Sequence, residues 1–284
     1  MDAKSTPRIA LMISGLPRQW RRCLPTQLAL FQNYAFDVFF HFWDVVDEAE
    51  KEEIVNLLQP RAHQFETPRD FSAADSDPLL QCDAINIPSR MFSQYYSWRN
   101  VARLVEPYLN DYTHALRSRS DLNFVYGIEH IIPQLKPGDI LLNWWNEKLV
   151  LSDVFALGGM QPIYHFHTLY DHLHEYASQI LFNPEALLSL HLHRNLDIHI
   201  YTEGFQYCYV RRAHMDKYTD EQALRENPGR NKWLDPEIFT AHKNHFSHTH
   251  GEPGVKYVND FRLTQVATLV KELAEKSKNG LSKE

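Results

Sequence analysis

"RIALMISGLPRQW", residues 8 to 20, decides how the rest of the chain is read. It opens on a nearly continuous apolar run, Arg8 to Ser14, which Gly15, Leu16 and Pro17 then close. A strand solvated on one face alternates apolar with polar residues. A run without alternation is a strand buried on both faces, and such strands belong to parallel sheets covered by helices. The next segment, "RCLPTQLALFQNYA" (22 to 35), supplies a crossover helix whose start Pro25 is expected to set. "FDVFFHFWD" (36 to 44) is a second buried strand, "DEAEKEEIVNLLQP" (47 to 60) a charged amphipathic helix stopped by Pro60, and "RAHQFET" (61 to 67) a third strand. A β-α-β-α-β order predicts an α/β fold, with a Rossmann-like, mostly parallel central sheet flanked by helices.

Further along, residues 67 to 89 carry three prolines and no sustained period, which predicts a long surface loop of the kind that covers functional sites. "RMFSQYYSWRNVARLVEPYL" (90 to 109) places Met91, Tyr95, Trp98, Val101, Ala102 and Val105 at helical spacing, one broad packing face. "DYTHALRSRSDL" (111 to 122) is the next strand, and "GIEHIIPQLKPGD" (127 to 139) reads as helix then turn. Two apolar runs in "ILLNWWNEKLVLSDVFALGG" (140 to 159) are strands around a polar loop. Residues 160 to 182 predict one helix of about five turns after Pro162. "NPEALLSLHLHRN" (183 to 195) is a short helix with Asn183 as N-cap and Pro184 at its first position. Residues 196 to 212 read as a hairpin around Glu203 and Gly204, and residues 260 to 278 as a last helix. The expected organisation is one α/β domain over residues 1 to 212, with a small hairpin/helical C-terminal extension over 213 to 284 packed on it.

Composition excludes several function classes. With 284 residues, 44% of them hydrophobic, the chain can bury a large core. A formal net charge of −7 lacks the broad positive field that a nucleic-acid backbone requires, so nucleic acid is not an expected partner. Cys23, Cys82 and Cys208 are odd in number and widely spaced, which fits neither a disulfide framework nor a cysteine zinc site. The apolar run near the N-terminus is too short for a signal-peptide core, and no membrane-spanning run is present in the sequence. A cytoplasmic protein is expected.

The polar end of the fourth strand, "RSRSDLNF" (117 to 124), interrupts the apolar pattern where open α/β sheets bind ligands. Arg117 and Arg119 alternate with Ser118 and Ser120, so they share a face of the strand. Two guanidiniums on one face repel unless an anion lies between them, which points to a phosphate or carboxylate ligand. Asp44 either borders the same cleft with His41 and Trp43 or caps the following helix. Asp153 is a charge among apolar residues beside a glycine pair, and Glu185 stands in a first helical turn where the dipole favours a carboxylate. Sixteen histidines raise a rival from another class, a metal-dependent hydrolase. His165, His167, His172 and His174 fall on the predicted helix, and His242, His245, His248 and His250 gather near the C-terminus, although neither group has the HExxH spacing of a zinc hydrolase.

Taken in order, "ALMISGLPRQW", "FDVFFHFWD", "ALRSRSDLNF" and "LSDVFALGG", with "NPEALLSLHL" behind them, resemble a group of bacterial and viral glycosyltransferases that make surface polysaccharides, enzymes similar to nucleotide-sugar transferases of the A-type fold. The resemblance spans roughly residues 8 to 200. It implies a nucleotide-sugar donor, a saccharide or lipid-linked glycan acceptor, peripheral contact with a membrane on its cytoplasmic face, and Mn²⁺ or Mg²⁺ as cofactor. On this likeness Ser14, Gly15 and Arg18 dock the nucleotide and Arg117 and Arg119 its phosphates. Asp121 is placed like the metal-binding carboxylate, but Asn123 stands where the family's acid-x-acid pattern has its second acid, which weakens metal binding by one charge. Asp153, ahead of Glu185, is the implied base for the acceptor hydroxyl. A catalytically silent nucleotide-sugar-binding module is the third possibility.

Overall fold

The computed structural model describes residues 7–80, 82, 86–124, 131–144, 151–180, 182–195, 197–202, 207–209 and 256–257. Three strands open the chain: β1 (Arg8–Gly15), β2 (Ala35–Trp43) and β3 (Ala62–Glu66). They are linked by α1 (Trp20–Ala29) and α2 (Glu48–Leu58) and lie parallel. The long helix α3 (Pro88–Val105) then leads to β4 (His114–Ser118), which pairs in parallel with the other edge of β1. After it come β5 (Leu122–Phe124), β6 (Asp139–Trp144), β7 (Leu151–Gly159) and the helices α4 (Met160–His167), α5 (Leu173–Ala177) and α6 (Pro184–His193). The last described strands are β8 (His199–Thr202), β9 (Tyr207–Tyr209) and β10 (Lys256–Tyr257).

Among the described residues eight strands form the main sheet in the order β10-β8-β6-β7-β4-β1-β2-β3, and β5 pairs with β9 in a separate two-stranded sheet. β7 runs antiparallel between β4 and β6, while β6 and β8 are parallel, so the sheet is mixed and the fold is α/β. Side chains of β1 divide between two apolar layers. Ala10 and Met12 pack with Trp98 and Val101 of α3 on one face, and Ile9, Leu11 and Ile13 pack with Leu24 of α1 and Ile54 of α2 on the other. Double coverage is why the run from Ile9 to Ile13 shows no polar alternation.

Several expectations change. The first crossover helix starts at Trp20, before Pro25, which sits inside it and deletes only one backbone hydrogen bond. The N-cap of α2 is Asp47, whose carboxylate accepts from the Glu50 amide at 2.8 Å; Asp44 instead pairs with Lys51 at 2.8 Å. Residues 160 to 182 are not one helix. α4 ends where the Thr168 hydroxyl takes the His165 carbonyl at 2.7 Å, and a 3-10 turn separates it from α5. Among the described residues of the hairpin expected over 196 to 212, the two strands part, β8 joining β6 in the main sheet and β9 pairing with β5, while the turn at Glu203 and Gly204 lies outside the described residues. Within 127 to 139 the described helical part is a single 3-10 turn, Ile132–Gln134. The Asn183 cap of α6 is present, its side chain accepting from the Ala186 amide at 3.0 Å. Of the expected extension, Lys256–Tyr257 adds an antiparallel strand to β8, and the last predicted helix, 260 to 278, lies outside the described residues. Among the described residues no helix is long and apolar enough to cross a membrane.

Candidate functional site at the carboxyl ends of β1 and β4

The chain leaves β1 in opposite lateral directions, first to β2 and later to β4. Where strand order reverses, the two crossovers diverge and leave a crevice beyond the carboxyl ends of the strands. A cavity of about 700 Å³ occupies that place. Ser14, Gly15, Leu16 and Arg18 line it from the end of β1, and Arg117, Arg119 and Asp121 from the end of β4. The two turns are joined directly. The Ser120 hydroxyl donates to the Leu16 carbonyl at 2.7 Å and accepts from the Arg18 amide at 3.0 Å. Gly15 adopts a φ of +113°, a conformation costly for any residue with a Cβ.

Alternation along β4 sorts the polar residues as its period requires. Arg117, Arg119 and Asp121 line the cavity, while the Ser118 hydroxyl turns away and donates to Gln27 Oε1 of α1 at 2.8 Å. The Gln27 amide nitrogen in turn donates to the carbonyls of Arg119 (2.7 Å) and Leu122 (2.8 Å), clamping the turn backbone from behind. Arg117 is only 1% exposed; its guanidinium lies 4.5 Å from the Trp98 ring centroid and donates to the Val154 carbonyl. Arg119 forms a fork with Asp121, Nε to Oδ1 at 2.8 Å and the terminal nitrogen to Oδ2 at 2.9 Å. The anion expected between the two arginines is thus in part supplied by the protein. Ser14 Oγ, in a residue 4% exposed, has no hydrogen-bond partner among the described residues. A buried hydroxyl at a cavity wall without a partner is a group waiting for a ligand atom.

The opposite wall comes from residues that the sequence did not single out as functional. Arg69, Asp70, Phe71 and Ser72 belong to the long loop, and Ser89, Arg90, Ser93 and Gln94 to the first turns of α3. Arg69 is held by the Glu66 carboxylate at 2.6 Å and lies 4.4 Å over Tyr96, which stacks on Trp43, another lining residue. His41 is fully buried behind this wall, with Nδ1 2.8 Å from Ser97 Oγ and Nε2 3.0 Å from Glu66 Oε2. Burial holds the His41 imidazole below its ordinary range against the opposing pull of Glu66. For Glu66 burial pushes upward, but the hydrogen bonds from His41, Arg69 and Tyr96 outweigh it and keep the carboxyl low. Among the described residues five arginines and two aspartates line the cavity, which gives it an anion-attracting field despite the acidic chain.

Asp153 and Glu185 are not among the lining residues. Asp153 stands one hydrogen bond behind the wall, its Oδ2 accepting from Gln94 Nε2. Burial pushes the Tyr95 phenol well up, and the charges of Asp153 and Glu185 push it the same way, so both carboxylates have Tyr95 as a neighbour. Asn123 lies on β5 opposite Cys208.

The four histidines of the 160s and 170s do not gather at one point, although His165 and His172 both pack on the His191 ring, His172 with its centroid 5.4 Å away. His167 donates from Nδ1 to the Ile163 carbonyl inside the core, His174 packs against Phe92, and His165 stacks on His191 at 4.1 Å. Among the described residues no set of three histidine, cysteine, aspartate or glutamate side chains is placed to hold a metal ion. His242, His245, His248 and His250 lie outside the described residues. Burial pushes both His167 and His191 down to about 3, so at neutral pH both are uncharged. A histidine whose folded value is depressed binds its proton more readily in the unfolded chain. Stability is therefore expected to be complete above pH 6.5 and to fall as the pH drops from there towards about 3. Urea midpoints measured down this window should decline less steeply in His191→Gln, and an unchanged slope would contradict the assignment.

No protein-family model matches the chain, and no curated protein sequence matches it. Among solved structures, mouse xyloside xylosyltransferase 1 in its apo form is similar with a TM-score of 0.42 and 12% identity, over 69% of this chain and 84% of that one.

Proposed function

We propose that the chain is a glycosyltransferase that takes a nucleotide-diphosphate sugar into the cavity between β1 and β4 and passes the sugar to a saccharide or lipid-linked acceptor. The observation that carries this reading is the position and charge of the cavity, which lies at the reversal point of the sheet and is lined by Arg18, Arg117 and Arg119 around the unpartnered Ser14 hydroxyl. A cleft of this volume accommodates a ligand of nucleotide-sugar size, and its cations match a diphosphate. In the transfer, the acceptor oxygen bonds to the anomeric carbon while the bond from that carbon to the phosphate oxygen breaks. The bonding pair leaves on the diphosphate, and the acceptor's proton passes to a carboxylate or to the departing phosphate. Arginines that face the leaving oxygens stabilise the charge as it develops. Asp153 acts through Gln94 in this reading and is a positioning residue, and Glu185 is a second carboxylate near Tyr95.

Thermal-shift measurements with UDP-, GDP-, dTDP- and CMP-linked sugars test the reading. A donor at about a hundred times its Kd stabilises the folded chain by about 2.7 kcal/mol, so one diphosphate-linked sugar is expected to raise the melting temperature by several degrees. The CMP-linked sugar, which has a single phosphate, is expected to have little effect. If no diphosphate-linked sugar shifts the melting temperature, the donor site is wrongly assigned.

A further inference from the structure

A divalent cation that handles a diphosphate requires carboxylate oxygens with lone pairs directed at it and keeps water and phosphate for its remaining positions. Asp121 is the carboxylate at the corresponding place, and it does not fit that requirement. It is 2% exposed, and each of its oxygens accepts a hydrogen bond from the Arg119 fork, which also cancels its charge. The other lining carboxylate, Asp70, belongs to the loop, and its Oδ1 accepts from the Ser72 amide at 2.8 Å. Among the described residues a metal ion entering here would meet five arginines against two aspartates, one of which is held by Arg119.

We infer that the chain binds its diphosphate without a divalent cation, Arg18 and Arg117 carrying the positive charge that a metal would otherwise supply and Arg119, whose charge Asp121 balances, adding directed N–H donors. Asp121 is then a positioning residue that fixes the plane of the Arg119 guanidinium. Ser120 ties the turn that carries it to the one that carries Arg18, so the cations are set in place before the ligand arrives. Such a site depends on a rigid fork, which arginine supplies and lysine does not. This inference rests on the donor site proposed above.

Calorimetric titration of the full chain with UDP, GDP and inorganic pyrophosphate, in EDTA and again in excess MnCl₂, separates the two ideas. Expected is at least one of these diphosphates bound in EDTA, with a Kd that Mn²⁺ changes by no more than about threefold. The isosteric change Asp121→Asn leaves Arg119 one acceptor in place of two, so its Kd is expected to weaken by about three- to tenfold in EDTA and by the same factor in MnCl₂, because no metal ligand is lost with the charge. The electron paramagnetic resonance signal of aqueous Mn²⁺ should be undiminished by the protein alone. A Kd tightened about tenfold or more by Mn²⁺, with that gain lost in Asp121→Asn, would overturn the metal-free site and leave the donor site standing. Absence of binding by every diphosphate under both conditions would remove the donor site itself, and this inference with it.

Discussion

Arg119→Ala is expected to lower the rate of sugar transfer by about a hundred- to a thousandfold, the usual effect of removing one preorganised donor from a developing oxyanion. The substitution acts twice. On the proposed donor site it deletes a guanidinium facing the leaving diphosphate, and it strands the nearly buried Asp121 carboxylate, whose two oxygens lose their fork. A negative charge left without its partner repels the phosphates and also costs stability. The double variant Arg119→Ala, Asp121→Asn separates the two effects: the melting temperature should recover, because no charge is stranded, while transfer stays slow. Arg119→Lys should fall between, since an ammonium keeps the charge but cannot grip both carboxylate oxygens. Release of nucleoside diphosphate, followed with a bound donor identified by thermal shift, is the measurement. Transfer at the parent rate in a folded Arg119→Ala protein would take this arginine out of the mechanism.

Gly158→Ala is expected to destabilise the fold by more than about 3 kcal/mol, beyond the ordinary range for overpacking. Gly158 lies in β7 between β4 and β6, opposite Ala115 and Ile140. A Cβ built there would stand 3.0 Å from the Ile140 Cα and closer still to the Asp139 carbonyl oxygen. Both are backbone atoms of a strand held on its other edge by β8, so neither can yield as a side chain would. Gly15→Ala offers a contrast. A Cβ at Gly15 meets nothing within 4 Å, and the cost comes only from its φ of +113°, about 1–3 kcal/mol. Urea unfolding of the two variants should rank them in that order. A Gly158→Ala protein as stable as the parent would show that the approach of β6 to β7 is looser than described.

These two glycines mark how far local sequence carries. The turn at Gly15 is legible because it follows a closed apolar run and precedes a proline. The pair at Gly158 and Gly159 is visible as a pair, but nothing near it in sequence says that the backbone of residues 137 to 140 lies against it. The candidate site divides in the same way. Arg117, Arg119 and Asp121 stand out because charged residues at the end of a buried strand contradict its apolar pattern, and Ser14, Gly15 and Arg18 because they end the first strand. Arg69, Arg90, Ser93 and Gln94 gave no comparable sign. They occupy a polar loop and the polar face of an amphipathic helix, where such residues are ordinary. Trp98, expected to be core, is both core and cavity wall. Gln27 was hidden for a related reason, since a lone glutamine in a helix carries no mark of the two carbonyls it clamps.

By itself the sequence determined which segments are buried on both faces, and with them the parallel β1-β2-β3 block, the amphipathic α3 and the Asn183 cap. Each follows from steric and solvation preferences that act within a few residues of chain. Only the tertiary structure decided that β8 and β9 part into different sheets, that Asp121 is spent on Arg119, that Ser120 joins two turns more than a hundred residues apart, and that the start of α3 closes the cavity. Those outcomes depend on where the crossovers bring distant segments together, and side chains far apart in sequence meet only after the sheet has assembled.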